Sequence, residues 1–435
     1  MMRLLSSTFL LAAAALGPTS AAQAQSGGQI VLAVPQFPTP KNVKTDGGET
    51  GVIGIQISQQ IASDLRTTRA IYPMGPDGLR HYTPTEAGAP LYPNWAGIGA
   101  GALVTGYVQA RDDGRINVVC YLYDLKSRRE MTRKGFAVAA TEWKRAAHRC
   151  AGAFYTAVTN RPGLFDSRIA YVAATGSRTK PVKRIAVMNW DGTDHSYLTQ
   201  GEVTVTSPRL SPDGEHVVYM SFAGGMPNVR ITDADGGNDR PLVQSGAMSF
   251  APRYSPDGRQ IVFSIAVDGN SDVYVADANG GMPRRLTTTP GIDTSPSFSP
   301  DGRQIVFESD RSGTQQVYVM NSDGSGQRRL SFGGGSNSSP VWSPDGERIA
   351  FARWTGANIN IGIMNASGGD EKILTNGWQD EAPTWSPDSE WVMFQRTLQG
   401  SGIGSLQMVS TAGGEPKAVA TPQAAADPSW SGVVQ

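Results

Sequence analysis

Short apolar strands separated by turns fill the chain from Phe165 to its C-terminus. One strand pattern recurs as HVVYM, QIVFS, RIAFA and WVMFQ, and another as NVRITD, DVYVAD, NIGIMN and LQMVST. Apolar residues occupy both faces of these strands, so each sheet must be covered on both sides, as happens when similar sheets pack against one another. The hydrophobic pattern therefore predicts a repeated β-sheet.

The period of the repeat is marked by the tetrapeptide Ser-Pro-Asp-Gly. It occurs at Ser211–Gly214, Ser255–Gly258, Ser299–Gly302 and Ser343–Gly346, and returns as Ser386–Ser389 and, in part, as Ser431-Gly432. Ser in the first position, Pro in the second and Gly in the fourth favour a type I turn, so each copy predicts a tight hairpin. Four short strands in roughly 40–45 residues are typical of one blade of a β-propeller.

The two ends of the repeat array predict how it closes. Ser167–Ala173 has the pattern of a second strand with no inner strand before it, and Pro428–Gly432 at the C-terminus supplies that inner strand. An open solenoid is the alternative, but it would leave two exposed sheet edges. We therefore predict a mainly β fold, a six-bladed β-propeller over residues 163–435 that is closed by the C-terminal strand.

A different pattern precedes the repeats. We expect strands at 29–34, 102–109, 116–124 and 136–139, and helices at 52–65 and 141–159,. Together these elements predict a small α/β domain at residues 25–162. Its Cys120 and Cys150 are the only cysteines of the chain and are either joined by a disulfide or present as two buried thiols,.

The first 24 residues have the composition of a secretory signal peptide. Arg3 is followed by the apolar run Phe9–Ala15 and by Ala22-Gln23-Ala24, a small-residue cleavage site,. We therefore expect signal peptide 1–24 and an exported mature protein; a retained membrane anchor is the alternative, disfavoured by the shortness of the apolar run.

Composition and motifs argue against an enzyme. Lys plus Arg and Asp plus Glu both number 38, so no net field attracts nucleic acid, and G-x-S-x-G does not occur,. The four histidines (His81, His148, His195 and His216) are not at metal-ligand spacing, and we expect structural or surface roles,. Asp233, Asp235, Asn238 and Asp239 fall at a hairpin position and predict a turn, not a calcium loop. We expect no metal and no cofactor.

The loops between the last strand of one repeat and the first strand of the next vary where the rest repeats. Variable loops on a rigid scaffold are where binding residues concentrate. The variable positions, each just before a repeated Pro, are Val205-Thr206, Phe250-Ala251, Asp293-Thr294, Ser338-Ser339, Glu381-Ala382 and Ala426-Asp427.

The chain resembles the TolB family of periplasmic proteins of the Tol–Pal system. The resemblance rests on the domain order, on Ile30–Phe37 (IVLAVPQF), Gly101–Val108 (GALVTGYV) and Phe165–Val172 (FDSRIAYV), and on the repeated Pro-x-x-Ser-Pro-Asp-Gly. It implies a non-enzymatic, monomeric adaptor that binds the outer-membrane lipoprotein Pal through the channel face and TolA through its N-terminal part. Such an adaptor is peripheral to the outer membrane through Pal and serves outer-membrane integrity and invagination in cell division.

The resemblance also implies binding residues. Met248, Ala251 and Thr294 match contact positions of the family's Pal face, and Asp293, Ser338 and Glu381 are added from equivalent repeat positions. For TolA the matching segment is short, because cleavage after Ala24 leaves Gln25, Ser26 and Gly27 and two further residues before Ile30. The TolA contact is therefore either reduced or made by another part of the α/β domain. The alternative function is a propeller hydrolase or lyase acting on a small ligand in the channel, which would need convergent acids there.

Overall fold

The computed structural model describes residues 29–68, 70–177, 179–243 and 246–432. It divides into two compact units, one ending at Phe154 and the other beginning at Tyr155. The expected signal peptide, residues 1–24, lies outside the described residues. The domain boundary at residues 162 and 163 stays a prediction.

The first unit is built on a five-stranded sheet. Its elements are β1 (Ile30–Ala33), β2 (Lys44–Thr45), β3 (Gly48–Glu49), α1 (Thr50–Arg66), β4 (Ile71–Met74), α2 (Pro84–Gly88), β5 (Ala102–Ala110), β6 (Arg115–Asp124), β7 (Arg129–Ala139) and α3 (Trp143–Thr159), which continues into the second unit. The strand order is β4-β1-β5-β6-β7, with β1 parallel to β4 and β5 and the other pairs antiparallel. The α/β prediction is confirmed.

Strands β2 and β3 were not predicted, and two further differences from the prediction have a local cause. Strand β7 begins at Arg129, seven residues earlier than expected, because its first half is an exposed and polar edge segment without apolar alternation,. Helix α2 lies in the Pro- and Gly-rich stretch 70–95, for which the sequence predicts a loop with at most one short strand,. It is held at its start by a capping box, in which the Thr83 hydroxyl accepts from the Glu86 N–H and the Glu86 carboxylate accepts from the Thr83 N–H,.

Covalent and polar links tie the first unit together. Cys120 on β6 and Cys150 on α3 form a disulfide, which decides between the two alternatives for these residues. The Nδ1 atom of His148 on α3 lies 2.8 Å from Oδ2 of Asp64 on α1, and both side chains are buried. His148 therefore has the structural role expected for it.

The second unit is a six-bladed propeller of four-stranded antiparallel blades, as predicted. The strands, from inner to outer, are Ala424–Trp430, Arg168–Ser177, Lys180–Asn189 and Ser196–Tyr197 in blade 1; Val205–Leu210, His216–Ser221, Asn228–Asp233 and Arg240–Pro241 in blade 2; Met248–Tyr254, Gln260–Val267, Asn270–Asp277 and Arg284–Arg285 in blade 3; Asp293–Phe298, Gln304–Ser309, Gln316–Asn321 and Arg328–Arg329 in blade 4; Ser336–Trp342, Arg348–Trp354, Ile359–Asn365 and Lys372–Ile373 in blade 5; Gln379–Trp385, Trp391–Thr397, Gly404–Ser410 and Lys417–Ala418 in blade 6. One parallel bridge, between Ile359 and Gln379, links blades 5 and 6.

Closure of the ring follows the predicted route. The C-terminal strand pairs antiparallel with Arg168–Ser177, placing Trp430 opposite Ile169. The Trp430 indole N–H donates to the Ser167 hydroxyl at 2.8 Å. Ser431 Oγ accepts from the Arg168 N–H at 2.9 Å, the same bond that Ser211 Oγ makes with the His216 N–H inside blade 2. The partial sixth copy thus completes a turn whose other half lies 263 residues earlier.

The Ser-Pro-Asp-Gly copies are tight turns at the end of each inner strand. In the third copy the Gly302 N–H donates to the Ser299 carbonyl at 2.9 Å, and the Ser299 hydroxyl donates to the Asp301 carboxylate at 2.6 Å. Gly302 has φ of 70°, a left-handed conformation that glycine adopts without a Cβ penalty,. The tetrapeptide is therefore scaffold, as the sequence predicts. The Asp233–Asp239 segment is likewise a hairpin turn, in which the Asp233 N–H donates to the Gly237 carbonyl.

Candidate partner-binding face

The antiparallel blades give the propeller two faces. On the first face, which we call the loop face, each inner strand begins. The hairpins between second and third strands and the loops that lead from one blade to the next also lie on the loop face. The Ser-Pro-Asp-Gly turns and the hairpins between third and outer strands lie on the opposite one, the turn face. All six Pal-face residues expected from the sequence lie in inner strands near the loop face.

Each inner strand carries a β-bulge close to the loop face. The pairing register shifts once in every blade, for example between Phe250 and Arg253 in blade 3. The bulged residues share a left-handed φ of 49° to 53° and precede a proline; they are Ser207, Ala251, Ser295, Ser339, Ala382 and Asp427. A bulge bends its strand and redirects side chains. The six bulges therefore set how the variable residues are presented around the channel.

Four of the six expected residues are reachable from solvent. Met248, the first residue of its strand, is 41% exposed, and Ala251 is the half-buried bulge residue of the same strand. Ser338 and Glu381 are half-buried and stand one residue before the bulge in blades 5 and 6. Burial raises the pKa of the Glu381 carboxyl, and the nearby charges of Asp427 and Asp380 add to this effect,.

The other two expected residues are buried in the blade wall. Asp293 is fully buried and accepts from Arg311 Nη2 at 2.7 Å. Thr294 is also buried, and its hydroxyl donates to Glu308 Oε1 at 2.5 Å. Glu308 Oε2 in turn accepts from the Ser339 N–H of the next blade at 2.6 Å. These two residues hold the loop face in shape and are not presented on it.

Large exposed apolar side chains concentrate on the loop face. Among the described residues of the propeller, eleven of thirteen such side chains lie there: Val203, Phe222, Met226, Met248, Val267, Ile292, Phe332, Trp354, Trp378, Leu398 and Ile403. Met282 is on the turn face, and Ile373 is in an outer strand. Exposed apolar groups gathered on one side of a protein mark a surface that another molecule covers.

Two patches can be distinguished by the backbone contacts beneath them. The methionine patch comprises Val203, Phe222, Met226, Met248 and Val267 of blades 2 and 3. Its loops are joined where the Ser249 N–H donates to the Pro227 carbonyl at 3.0 Å and the Phe222 N–H donates to the Thr204 carbonyl at 3.0 Å. This patch contains Met248 and adjoins Ala251.

The tryptophan patch comprises Trp354, Trp378, Leu398 and Ile403 of blades 5 and 6. Trp354 pairs with Ile359, whose N–H donates to the Trp378 carbonyl at 3.1 Å. The hairpins between second and third strands supply most of both patches, whereas the residues predicted from the sequence come from the loops between blades. The signal was available, since hairpin segments such as FAGGM and RWTGAN carry large apolar residues where turns are usually polar,.

Within residues 29–68, 70–177, 179–243 and 246–432, no three His, Cys, Asp or Glu side chains come together as metal ligands. No described helix has the length and apolar character needed to cross a membrane. His216 is exposed and lies 3.0 Å from the Asp233 carboxylate, which is a surface pair.

Comparison with known proteins identifies the family. The sequence profile of the TolB beta propeller domain matches residues 155–434, and that of the TolB amino-terminal domain matches residues 23–131. The chain belongs to the TolB family. The profile for the propeller alone covers more than half of the chain, and its span agrees with the bladed unit described above.

Individual TolB proteins agree with this assignment. The Tol-Pal system protein TolB of Zymomonas mobilis is 47% identical over 200 residues, which are 46% of this chain and 44% of that protein. Its counterpart in Rhizorhabdus wittichii is 46% identical over 191 residues, 44% of each chain. The matched segments thus span less than half the length of these relatives. The crystal structure of TolB from Acinetobacter baumannii has a TM-score of 0.73 at 26% identity and covers 93% of this chain and 97% of that one.

Proposed function

We propose that this protein is a periplasmic adaptor of the Tol–Pal system and that its loop face binds the outer-membrane lipoprotein Pal. The observation that carries the proposal is the methionine patch, which surrounds Met248 and adjoins Ala251, two residues that match the family's Pal face. Interface centres are apolar, with methionine and aromatic residues enriched. Membership of the TolB family and the name Tol-Pal system protein of its relatives support the same role.

The six residues expected at the Pal face have different roles in this proposal. Met248 and Ala251 contact Pal at the methionine patch, and Ser338 and Glu381 offer polar contacts across the channel. Asp293 and Thr294, which are buried, act by fixing the strands of blade 4 through Arg311 and Glu308. The proposed role is that of a monomer, peripheral to the outer membrane, that supports membrane integrity and invagination during cell division.

A titration with the periplasmic domain of Pal tests the loop face. Met248→Glu and Met226→Glu place a charge in the methionine patch, and we expect each to raise the Kd by about tenfold or more. Met282→Glu is the matched control, because Met282 is 97% exposed and lies on the turn face. All three substitutions are at exposed positions and should leave the melting temperature unchanged. Equal affinities for wild type and both patch variants would reject this face.

The TolA contact is a separate proposal, assigned to the N-terminal part of the chain. Gln25, Ser26 and Gly27 lie outside the described residues, so the proposal rests on family membership. A mature protein lacking residues 25–29 can be compared with the intact one for binding to the C-terminal domain of TolA. Loss of binding supports the segment, whereas unchanged binding transfers the contact to the α/β domain.

A hydrolase or lyase acting in the channel is the alternative. Its best acids are Glu381 and Asp427, which come from neighbouring inner strands, and the charge of Asp427 adds to burial in raising the pKa of the Glu381 carboxyl. However, Asp427 Oδ2 already accepts from the Ser207 N–H at 3.2 Å. The adaptor is favoured because catalysis in the channel would leave the exposed apolar patches of the loop face without a use.

A further inference from the structure

One inner-strand position separates two blades from the other four. The residue that follows the repeated proline is Arg209, Arg253, Ser297, Val341, Thr384 and Ser429 in blades 2, 3, 4, 5, 6 and 1. Thr384 Oγ1 accepts from the Trp430 N–H, and Ser429 Oγ accepts from the Leu210 N–H, both at 3.2 Å. The position therefore lies between neighbouring inner strands at the wall of the channel. Blades 2 and 3 place two arginines there, side by side.

These arginines lack the partners that arginines elsewhere in the propeller have. Arg311 donates to Asp293, Arg396 donates to Asp380 through two 2.7 Å bonds, and Arg353 pairs with Glu371. By contrast, the side chain of Arg253 makes no hydrogen bond and no ion pair with any residue the structure describes.

Arg209 is only partly satisfied. Its Nη1 donates to the Pro208 carbonyl at 2.7 Å, and its buried Nε has no acceptor among the described residues.

The charges around Arg209 and Arg253 show on which side of the two arginines an opposite charge is lacking. The carboxylate that acts on Arg209 is Asp427, one blade behind, and it favours the charged guanidinium. On the other side Arg253 has only the like charge of Arg209. Burial lowers the pKa of the Arg253 guanidinium, and the charge of Arg209 lowers it further,. A guanidinium is nevertheless always charged in proteins. An anion beside Arg253 would therefore offset both the free-energy cost of burying its charge and the repulsion from Arg209.

We propose that the channel binds a small oxyanion, a phosphate or a carboxylate, between Arg209 and Arg253 on the side away from Asp427. A guanidinium offers a planar fork of N–H donors that fits two oxygens of either group. The free donors are the Nε of Arg209 and the guanidinium of Arg253. This site is independent of the proposed Pal contact, since it requires only the protein and a small anion.

Calorimetric titration of the mature protein in Tris-chloride at fixed ionic strength tests the site, with inorganic phosphate and succinate as probes. We expect saturable binding of at least one probe, and the probe that binds distinguishes a tetrahedral from a carboxylate ligand. Arg253→Ser introduces the residue type that blade 4 has at this position and should weaken binding by about tenfold or more. Arg259→Ser, at an exposed arginine on the turn face, is the matched control and should bind as the wild type does.

Two results would overturn the proposal: no saturable binding of either probe to the wild type, or equal affinities for the wild type and Arg253→Ser. Asp427→Asn provides an independent check, because removal of the competing carboxylate should strengthen binding severalfold. Unchanged or weaker binding by this variant would place the anion away from Arg209 and reject the shared site. Thermal melting without added anion shows that each variant is folded.

Discussion

The loop face and the turn face of the propeller come from the same six repeats but differ in what they expose. On the turn face, the Ser-Pro-Asp-Gly copies use their polar side chains within the turn itself. In the third copy the Ser299 hydroxyl donates to the Asp301 carboxylate and accepts from the Gln304 N–H, and the Asp301 carboxylate accepts from the Arg303 N–H. Met282 is the one large apolar side chain exposed there among the described residues. On the loop face eleven such side chains are exposed, and the residues next to each bulge differ from blade to blade.

The difference shows how a repeat protein separates folding from recognition. A turn that satisfies its own polar groups can be copied without change, since it needs nothing from its neighbours. Loops that begin beside a rigid bulge can vary without disturbing the blades. Each of the following experiments perturbs one side of this division.

Opening the ring should have the largest effect, because both faces depend on closure. Deletion of residues 428–435 removes Trp430, which is buried and bonded to Ser167. Loss of a buried Trp side chain alone costs about 3–5 kcal/mol. The deletion also exposes the edges of two sheets. We expect loss of cooperative thermal unfolding and rapid proteolysis.

Trp430→Phe is the control for the deletion. It keeps the strand and most of its apolar contact but loses the bond to Ser167, so we expect a cost of only about 1 kcal/mol. If the deleted protein melted as the wild type does, closure by the C-terminal strand would be wrong.

The next largest difference between the two faces is expected in the free energy of unfolding that is lost when an ion pair is broken. Arg396 near the loop face bonds to Asp380, which is fully buried, whereas Arg303 and Asp301 on the turn face are 85% and 58% exposed and 3.9 Å apart. Arg396→Met leaves a buried carboxylate unpaired and should lower the free energy of unfolding by about 3–5 kcal/mol.

Arg303→Met provides the comparison and should change the free energy of unfolding by no more than about 0.5 kcal/mol. Urea denaturation of both variants measures the difference. Similar losses in the two variants would mean that the inner-strand pair is solvated and that the two faces do not differ in this respect.

Much of this division could be predicted from the sequence, because turns and strands follow local rules. The period of the tetrapeptide and the incomplete repeat at Ser167–Ala173 were enough to predict six blades and their closure. The burial of Asp293 and Thr294 could not be predicted, since it depends on Arg311 and Glu308 of the adjoining strand and loop. The tryptophan patch arises from hairpins of two blades that only the folded ring brings together.

The smallest expected effect is a pH dependence of opposite sign on the two sides. The Ser299 hydroxyl and the Arg303 N–H lower the pKa of the Asp301 carboxyl on the turn face. Near the loop face, burial raises the pKa of the Glu308 carboxyl against the hydrogen bonds it accepts from Thr294 and Ser339. A lowered carboxyl pKa gives stability above the unfolded value, near 3.8, that is lost as the pH falls through the folded value,. A raised pKa gives stability below the unfolded value, near 4.5, that is lost as the pH rises through the folded value,.

Denaturation between pH 3 and pH 7 should resolve the two contributions. Relative to the wild type, Asp301→Asn should lose stability at pH 7 and differ less at pH 3. Glu308→Gln can still bond to Thr294 and Ser339, and its advantage over the wild type should grow as the pH rises from 4 to 7. Parallel pH profiles for the wild type and Glu308→Gln would show that Glu308 ionises in the folded protein as it does in the unfolded chain. Ionisation of Glu308 would then cost no folding free energy near the loop face. The difference between the loop face and the turn face would consist only of the exposed apolar side chains of the loop face.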